Sequence, residues 1–250
     1  MRHSLLARTL CFVFAAAATS SAQAAEIRVL ASNGIKAALE ALKPQFERPG
    51  GDTLSFDFST TATLREKIDK GEPFDVAILT DDVVDALIKS GTLVASTRTQ
   101  LARVGIGVGF RKGAAKPDVR TAASLKQALL NAKSIAYTGN GATRPYIDKM
   151  FSALGIASQM QAKTHFTPAG LAPASVGKGE SELVVTLISE ILPEPGVELA
   201  GPLPADFQSY LVFAAATGTK SGKTQSSKAL ISFLAAPSAG PIYQAKGMQR

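Results

Sequence analysis

The sequence predicts an α/β protein built as two lobes, each a mainly parallel sheet flanked by helices. Short apolar or β-branched runs alternate with segments of helical period from residue 26 onwards, which is the pattern of parallel strands joined by crossover helices. About 226 residues follow the leader-like start, room for two units of ordinary size. The junctions from strand to helix are rich in Ser, Thr, Asn and Gly, where an open α/β sheet binds its ligands.

In chain order, "IRVLA" reads as a buried strand, and Ile35, Ala38, Leu39, Leu42 and Phe46 then fall on one face of a helix. "LSFDF" is a second strand, followed by a helix through Leu64 and Ile68. "DVAIL" is a third, followed by a helix carrying Val84, Leu87 and Ile88 that stops at Gly91. A second unit opens with "VGIGVGF", a helix over Leu125 to Leu130 and the strand "SIAYT". A helix from Pro145 to Leu154 then closes at Gly155, and "LVVTLI" is its last strand. "SYLVFAAA" and helices over Ala229 to Ala235 and Ala239 to Ala245 complete the chain.

Residues 1–24 have the pattern of a secretory signal: basic Arg2 and Arg8, an apolar run from Leu10 to Ala18 too short to span a bilayer, and Ala22-Gln23-Ala24 before the cut. Export to the periplasm is expected. The only cysteine, Cys11, and one of the two histidines, His3, leave with this segment. The mature chain therefore has no disulfide, thiol nucleophile or zinc-thiolate site, and neither metal nor cofactor is expected. Removal of Arg2 and Arg8 leaves 25 basic against 20 acidic side chains, with no block of like charge and no tryptophan. That argues against a nucleic-acid surface and suits a small anionic ligand.

Three junctions carry the candidate site. "ASNG" places Ser32 and Asn33 after the first strand, "STTAT" places Ser59, Thr60 and Thr61 after the second, and "TGNGATRPY" places Ala142, Thr143 and Arg144 in the second unit. Helix starts leave backbone N–H groups unpaired and carry partial positive charge, and hydroxyls add donors that can turn to an oxyanion. The same residues also suit ordinary helix capping, Thr63 and Glu66 matching a capping box.

The stretches "VLASNGIKAALEAL", "FSTTATLREKIDKGEPFDVAILTDDVVDALIKSGTL" and "KALISFLAAPSAGPIYQAKGM" resemble the molybdate-binding family of periplasmic solute receptors that serve ABC transporters. The resemblance implies a type II periplasmic binding fold. Residues 25–104 plus 208–250 would form one lobe and residues 105–207 the other, with crossings near Arg103 to Phe110 and Leu203 to Tyr210. It implies Ser32 and Ser59 as hydroxyl donors, Ala142 and Thr143 as backbone donors, a monomer, and an inner-membrane ABC permease as partner. Two departures stand out. Thr186 and Leu187 occupy the stretch where the family pattern has a tyrosine, and Arg144 adds a guanidinium suited to a carboxylate. Some proteins resembling this branch are aconitate isomerases, so an enzyme acting on a small tricarboxylate is the alternative. His165, expected near the cleft rim, and Glu190 are its candidate acid or base, with no catalytic residue assigned.

Two glycine-rich stretches are set aside. In "ATGTKSGKT" three residues separate Gly218 from Gly222 where a phosphate-binding loop needs four, and "VGIGVGF" has no helix start beside it.

Overall fold

The computed structural model describes residues 24–48 and 51–250. The predicted leader, apart from Ala24, lies outside the described residues. Strand β1 (Glu26–Ser32) leads into α1 (Asn33–Phe46), β2 (Thr53–Ser59) into α2 (Thr61–Asp69), and β3 (Val76–Thr80) into α3 (Asp81–Lys89). The long β4 (Thr99–Arg111) is followed by α4 (Ala122–Asn131), β5 (Ile135–Thr138), α5 (Arg144–Ala153), α6 (Ala157–Lys163), β6 (Thr164–Thr167), α7 (Ala172–Gly177), β7 (Leu183–Leu187) and α8 (Ile188–Ile191). The chain then runs through β8 (Val197–Pro202), β9 (Tyr210–Thr217), α9 (Thr224–Ala235) and α10 (Gly240–Ala245).

The strands pair in the order β2-β1-β3-β9-β4-β7-β5-β6, with β8 also on β4. Pairing is parallel within β2-β1-β3 and within β7-β5-β6, and antiparallel wherever β4, β8 or β9 takes part. Each lobe thus has a parallel βα unit, and the antiparallel strands knit the units together. One strand makes the passage: β4 pairs with β9 over Thr99 to Gly105 and with β7 over Ile106 to Phe110. At the changeover the Gln208 amide stands in for a missing ladder partner. Its Oε1 accepts from Ile106 N at 2.9 Å, and its Nε2 donates to Ile106 O at 3.0 Å. Buried backbone groups need partners, so this amide lets the chain pass between sheets without leaving them bare.

The helices form for the reasons the spacing gives. In α1 the buried residues Ile35, Ala38, Leu39 and Leu42 share one stripe, and in α3 Val84 and Leu87 do. Helix α3 ends where Gly91 turns to φ +76°, a left-handed conformation that a side chain resists, and Thr92 N reaches back to Leu87 O. The glycines of "VGIGVGF" serve packing. A side chain at Gly107 would meet Ile188 and Leu199, and one at Gly109 would meet Val184 and Val197.

Several elements differ from the sequence reading. Strands β6 and β8 and helices α6, α7 and α8 were not anticipated, being too short to establish a period. The apolar run "LVVTLI" splits at Leu187, where the last strand of the second unit turns into α8. The rejected phosphate-loop stretch has a structural role: Ser221 Oγ donates to Asp75 Oδ1 at 2.7 Å, and Lys223 Nζ sits 3.3 Å from Asp75 Oδ2. Among the described residues no helix is long and apolar enough to cross a membrane.

Candidate anion-binding cleft

Six strands end where six helices begin, three in each lobe: β1, β2 and β3 feed α1, α2 and α3, while β5, β6 and β7 precede α5, α7 and α8. These two sets of helix starts meet. Asn140 Nδ2 donates to Thr63 Oγ1 at 3.1 Å, and Ser189 Oγ donates to the Gly34 carbonyl at 2.6 Å. A cavity of about 460 Å³ lies between Thr61, Ala62 and Asp81 on one side and Asn140, Ala142 and Tyr146 on the other. A second, of about 340 Å³, lies between Asn33 and Lys36 and the segment Gly170 to Pro173 with Glu190.

Ser32 and Ser59 are register partners, each the last residue of its strand. Adjacent strands lie about 4.8 Å apart, so the two serines stand side by side at the sheet's carboxyl edge. Ser32 is 7% exposed and serves as the N-cap of α1 without a capping bond from its side chain. Neither serine hydroxyl bonds to another described residue, which leaves both available to a ligand.

The neighbouring threonines are committed to the protein. Thr60 caps α2, its Oγ1 accepting from Thr63 N at 3.2 Å. The capping residue is thus Thr60 rather than Thr63, because the helix starts at Thr61. Thr61 Oγ1 accepts from Thr80 N at 3.4 Å, tying α2 to the end of β3. Asn33 opens α1 and lines the smaller cavity.

In the third junction Gly141 N and Arg144 N are bonded to Thr138 O and Gly141 O, at 3.1 and 3.0 Å, whereas Ala142 N and Thr143 N have no backbone acceptor among the described residues. The Arg144 guanidinium is engaged by its own lobe. It donates to Gly139 O at 2.6 Å and to Asp148 at 3.3 Å, and stacks 4.8 Å from the Phe166 ring. It lines a depression with Asp148 and Phe166, not the cavity that Ala142 lines.

Of the acid-base candidates, His165 is exposed and its Nδ1 lies 3.3 Å from Ser181 Oγ. Ser181 precedes β7, so this contact is at the end of the sheet opposite the helix starts, and the cleft-rim placement expected for His165 is corrected. Glu190 faces the smaller cavity, and the Thr186 hydroxyl donates to its carboxyl. Burial pushes the Glu190 carboxyl above the usual carboxylate range, against the opposing pull of hydrogen bonds from Thr186 and Leu187 N–H. No group of three or more His, Cys, Asp or Glu among the described residues is placed to hold a metal.

Residues that the sequence did not single out complete the cleft. Asn140 and Ser189 bond across it. Only their occurrence beside a strand end could have marked them.

Two α/β lobes joined by antiparallel crossing strands, with helix starts opposed across a cleft, have the type II periplasmic binding fold. The chain belongs to the bacterial extracellular solute-binding protein family, which it matches over residues 27–249. It is 27% identical over 229 residues to an aconitate isomerase of a Pseudomonas species, covering 89% of this chain and 87% of that protein. Over 236 residues it is 27% identical to the molybdate-binding protein ModA of Azotobacter vinelandii, covering 91% of each. Among solved structures, the Azotobacter vinelandii periplasmic molybdate-binding protein superposes with a TM-score of 0.75 at 18% identity, over 90% of this chain and 99% of that one.

Proposed function

We propose that this protein is a periplasmic receptor that closes over a small anion of the molybdate or tungstate type and presents it to an inner-membrane ABC permease. The observation that carries the reading is the register pairing of Ser32 with Ser59, two free hydroxyls at adjacent strand ends. The unpaired N–H groups of Ala142 and Thr143 support it from the other lobe. Neutral donors suit a fully ionised tetrahedral oxyanion, since they stabilise its charge without requiring a counter-ion. The engagement of Arg144 by Asp148 and Gly139 fits this reading, because it leaves the guanidinium turned away from Ala142. Closure is a shift between two arrangements of the lobes, and contacts from both lobes would favour the closed one.

A second reading, a small tricarboxylate as ligand or as substrate of an aconitate-type proton shift, is favoured by Glu190, a carboxyl facing a cavity between the lobes. Such a group can exchange a proton with a carbon acid. The 27% identity to an aconitate isomerase supports the same reading.

Calorimetric titration of the purified protein with molybdate, tungstate, sulfate, citrate and both aconitate isomers separates the two. Tight binding of molybdate or tungstate with no response to the carboxylates supports the oxyanion receptor. Aconitate binding followed by interconversion of its isomers overturns it in favour of the enzyme.

A further inference from the structure

Glu190 is an unusual neighbour for an anion site. It lies in α8, directly after β7, and faces the cavity of about 340 Å³ between the lobes. Among the described residues the charged groups lining that cavity are Lys36 and Glu40 from α1, and Glu190 and Glu194 from α8 and the turn after it. Lys36 pairs with Glu40 at 3.8 Å, and no ion pair reaches Glu190 among the described residues. The carboxyl is held instead by a neutral group, the Thr186 hydroxyl. Asn33 lines the same cavity and follows Ser32 directly, so the carboxyl lies close to the strand end that carries the serine pair.

A partly buried carboxylate without a paired cation is costly, and a second negative charge brought into the same cleft raises its energy further. Protonation removes both difficulties. It also turns an acceptor into a donor, because the acid O–H can face the cavity while the other oxygen keeps the hydrogen bond from Thr186.

We propose that Glu190 is a specificity-determining group of this cleft that meets the bound anion as the neutral acid, donating its O–H to a ligand oxygen. Capture of the anion then carries a proton with it. This rests on the reading that the cleft holds an anion, whether oxyanion or carboxylate. The step is a binding equilibrium: an ionised Glu190 takes one proton from solvent as the anion enters and returns it as the anion leaves, with no covalent bond made to the ligand. The selectivity that follows is for ligands presenting an unprotonated oxygen to Glu190. A ligand group that is itself a donor finds no acceptor in the neutral acid's O–H.

The test is calorimetry of the whole protein with tungstate, and with citrate as the carboxylate arm, in pairs of buffers of different ionisation enthalpy from about pH 6 to about pH 8. The expected result is proton uptake that rises towards one per anion as pH increases. Affinity should fall by up to about tenfold per pH unit once Glu190 is ionised in the free protein. Glu190→Gln keeps an acceptor for Thr186 and an N–H for the ligand, and should bind with no linked proton and a flat profile. Should that variant fail to fold, Thr186→Val removes a donor that favours the ionised carboxyl and should move the onset of proton uptake to higher pH. Wild-type binding without proton uptake, or a Glu190→Gln profile as steep as wild type, overturns the proposal. Silence from every anion at every pH has a different meaning: the anion reading of the cleft itself has failed, and this proposal falls with it.

Discussion

Asn140 and Thr63, 77 residues apart in sequence, meet across the cleft, with Asn140 Nδ2 donating to Thr63 Oγ1 at 3.1 Å. Thr63 is also tied to the helix cap, since Thr60 Oγ1 donates to its hydroxyl at 2.9 Å. The contact therefore joins the third junction to the start of α2.

Asn140→Ala should weaken anion binding by about 0.5–1.5 kcal/mol, the net worth of one hydrogen bond, because it removes a contact between the two junctions across the cleft. Thermal unfolding of the free protein should change far less. Titration calorimetry beside a melting curve checks both, and equal losses in the two would mean a general structural role.

Ser59→Ala and Ser32→Ala should each weaken binding by about 1–3 kcal/mol, the scale of a ligand oxygen left without its donor. Neither hydroxyl supports the fold through a side-chain cap, so unfolding temperatures should hold. Unchanged affinity in Ser59→Ala would remove it from the site.

Arg144→Ala separates the ligand classes. Its exposed pair with Asp148 is worth about 0–1 kcal/mol to stability, and an oxyanion held by neutral donors should keep its affinity within about twofold. A much larger loss confined to citrate or aconitate would show the guanidinium turning to a carboxylate.

Gly34→Ala tests lobe contact sterically. A Cβ at this position would fall 2.5 Å from Leu187 Cδ1 and 2.5 Å from Phe213 Cζ, in well-packed surroundings. Such overpacking costs about 1–3 kcal/mol, and since Phe213 belongs to the same lobe and Leu187 to the opposite one, both the melting temperature and the ligand affinity should fall, which melting curves and titration calorimetry check.

Asp75 sets a pH dependence of stability. Burial raises its pKa, but hydrogen bonds from Arg28 N–H and Ser221, with Lys223 alongside, outweigh burial and hold the carboxyl below the usual range. A lowered folded pKa contributes stability above the unfolded value of about 3.9, lost as pH falls through the folded pKa. Asp75→Asn should lower the melting temperature at neutral pH and lose less of it on acidification than wild type. Parallel melting curves for the two proteins would refute this assignment.

The alternation of apolar runs and helical stripes was enough to establish the α/β class and to locate β1 to β3 with their helices, because each element carries its own period in a local stretch of side chains. Ser32 and Ser59 were legible as strand-end residues for the same reason. What the sequence left open depends on distant partners. Thr60, Thr61 and Ser59 read alike as a hydroxyl cluster, and only the packing of α2 against β3 and of the lobes against each other commits the threonines to the protein and leaves the serine free. Arg144 looked ready for a ligand until Asp148, Gly139 and Phe166 were brought around it. Glu190 was legible as a candidate acid or base, but nothing local showed what it faces. Its seat between Thr186 and a cavity shared with Asn33 comes from bringing α8 against the start of α1, where Ser189 Oγ meets the Gly34 carbonyl 155 residues away. Local periodicity decides what an element is, whereas long-range contacts decide which polar groups remain unpaired, and it is the unpaired groups that bind.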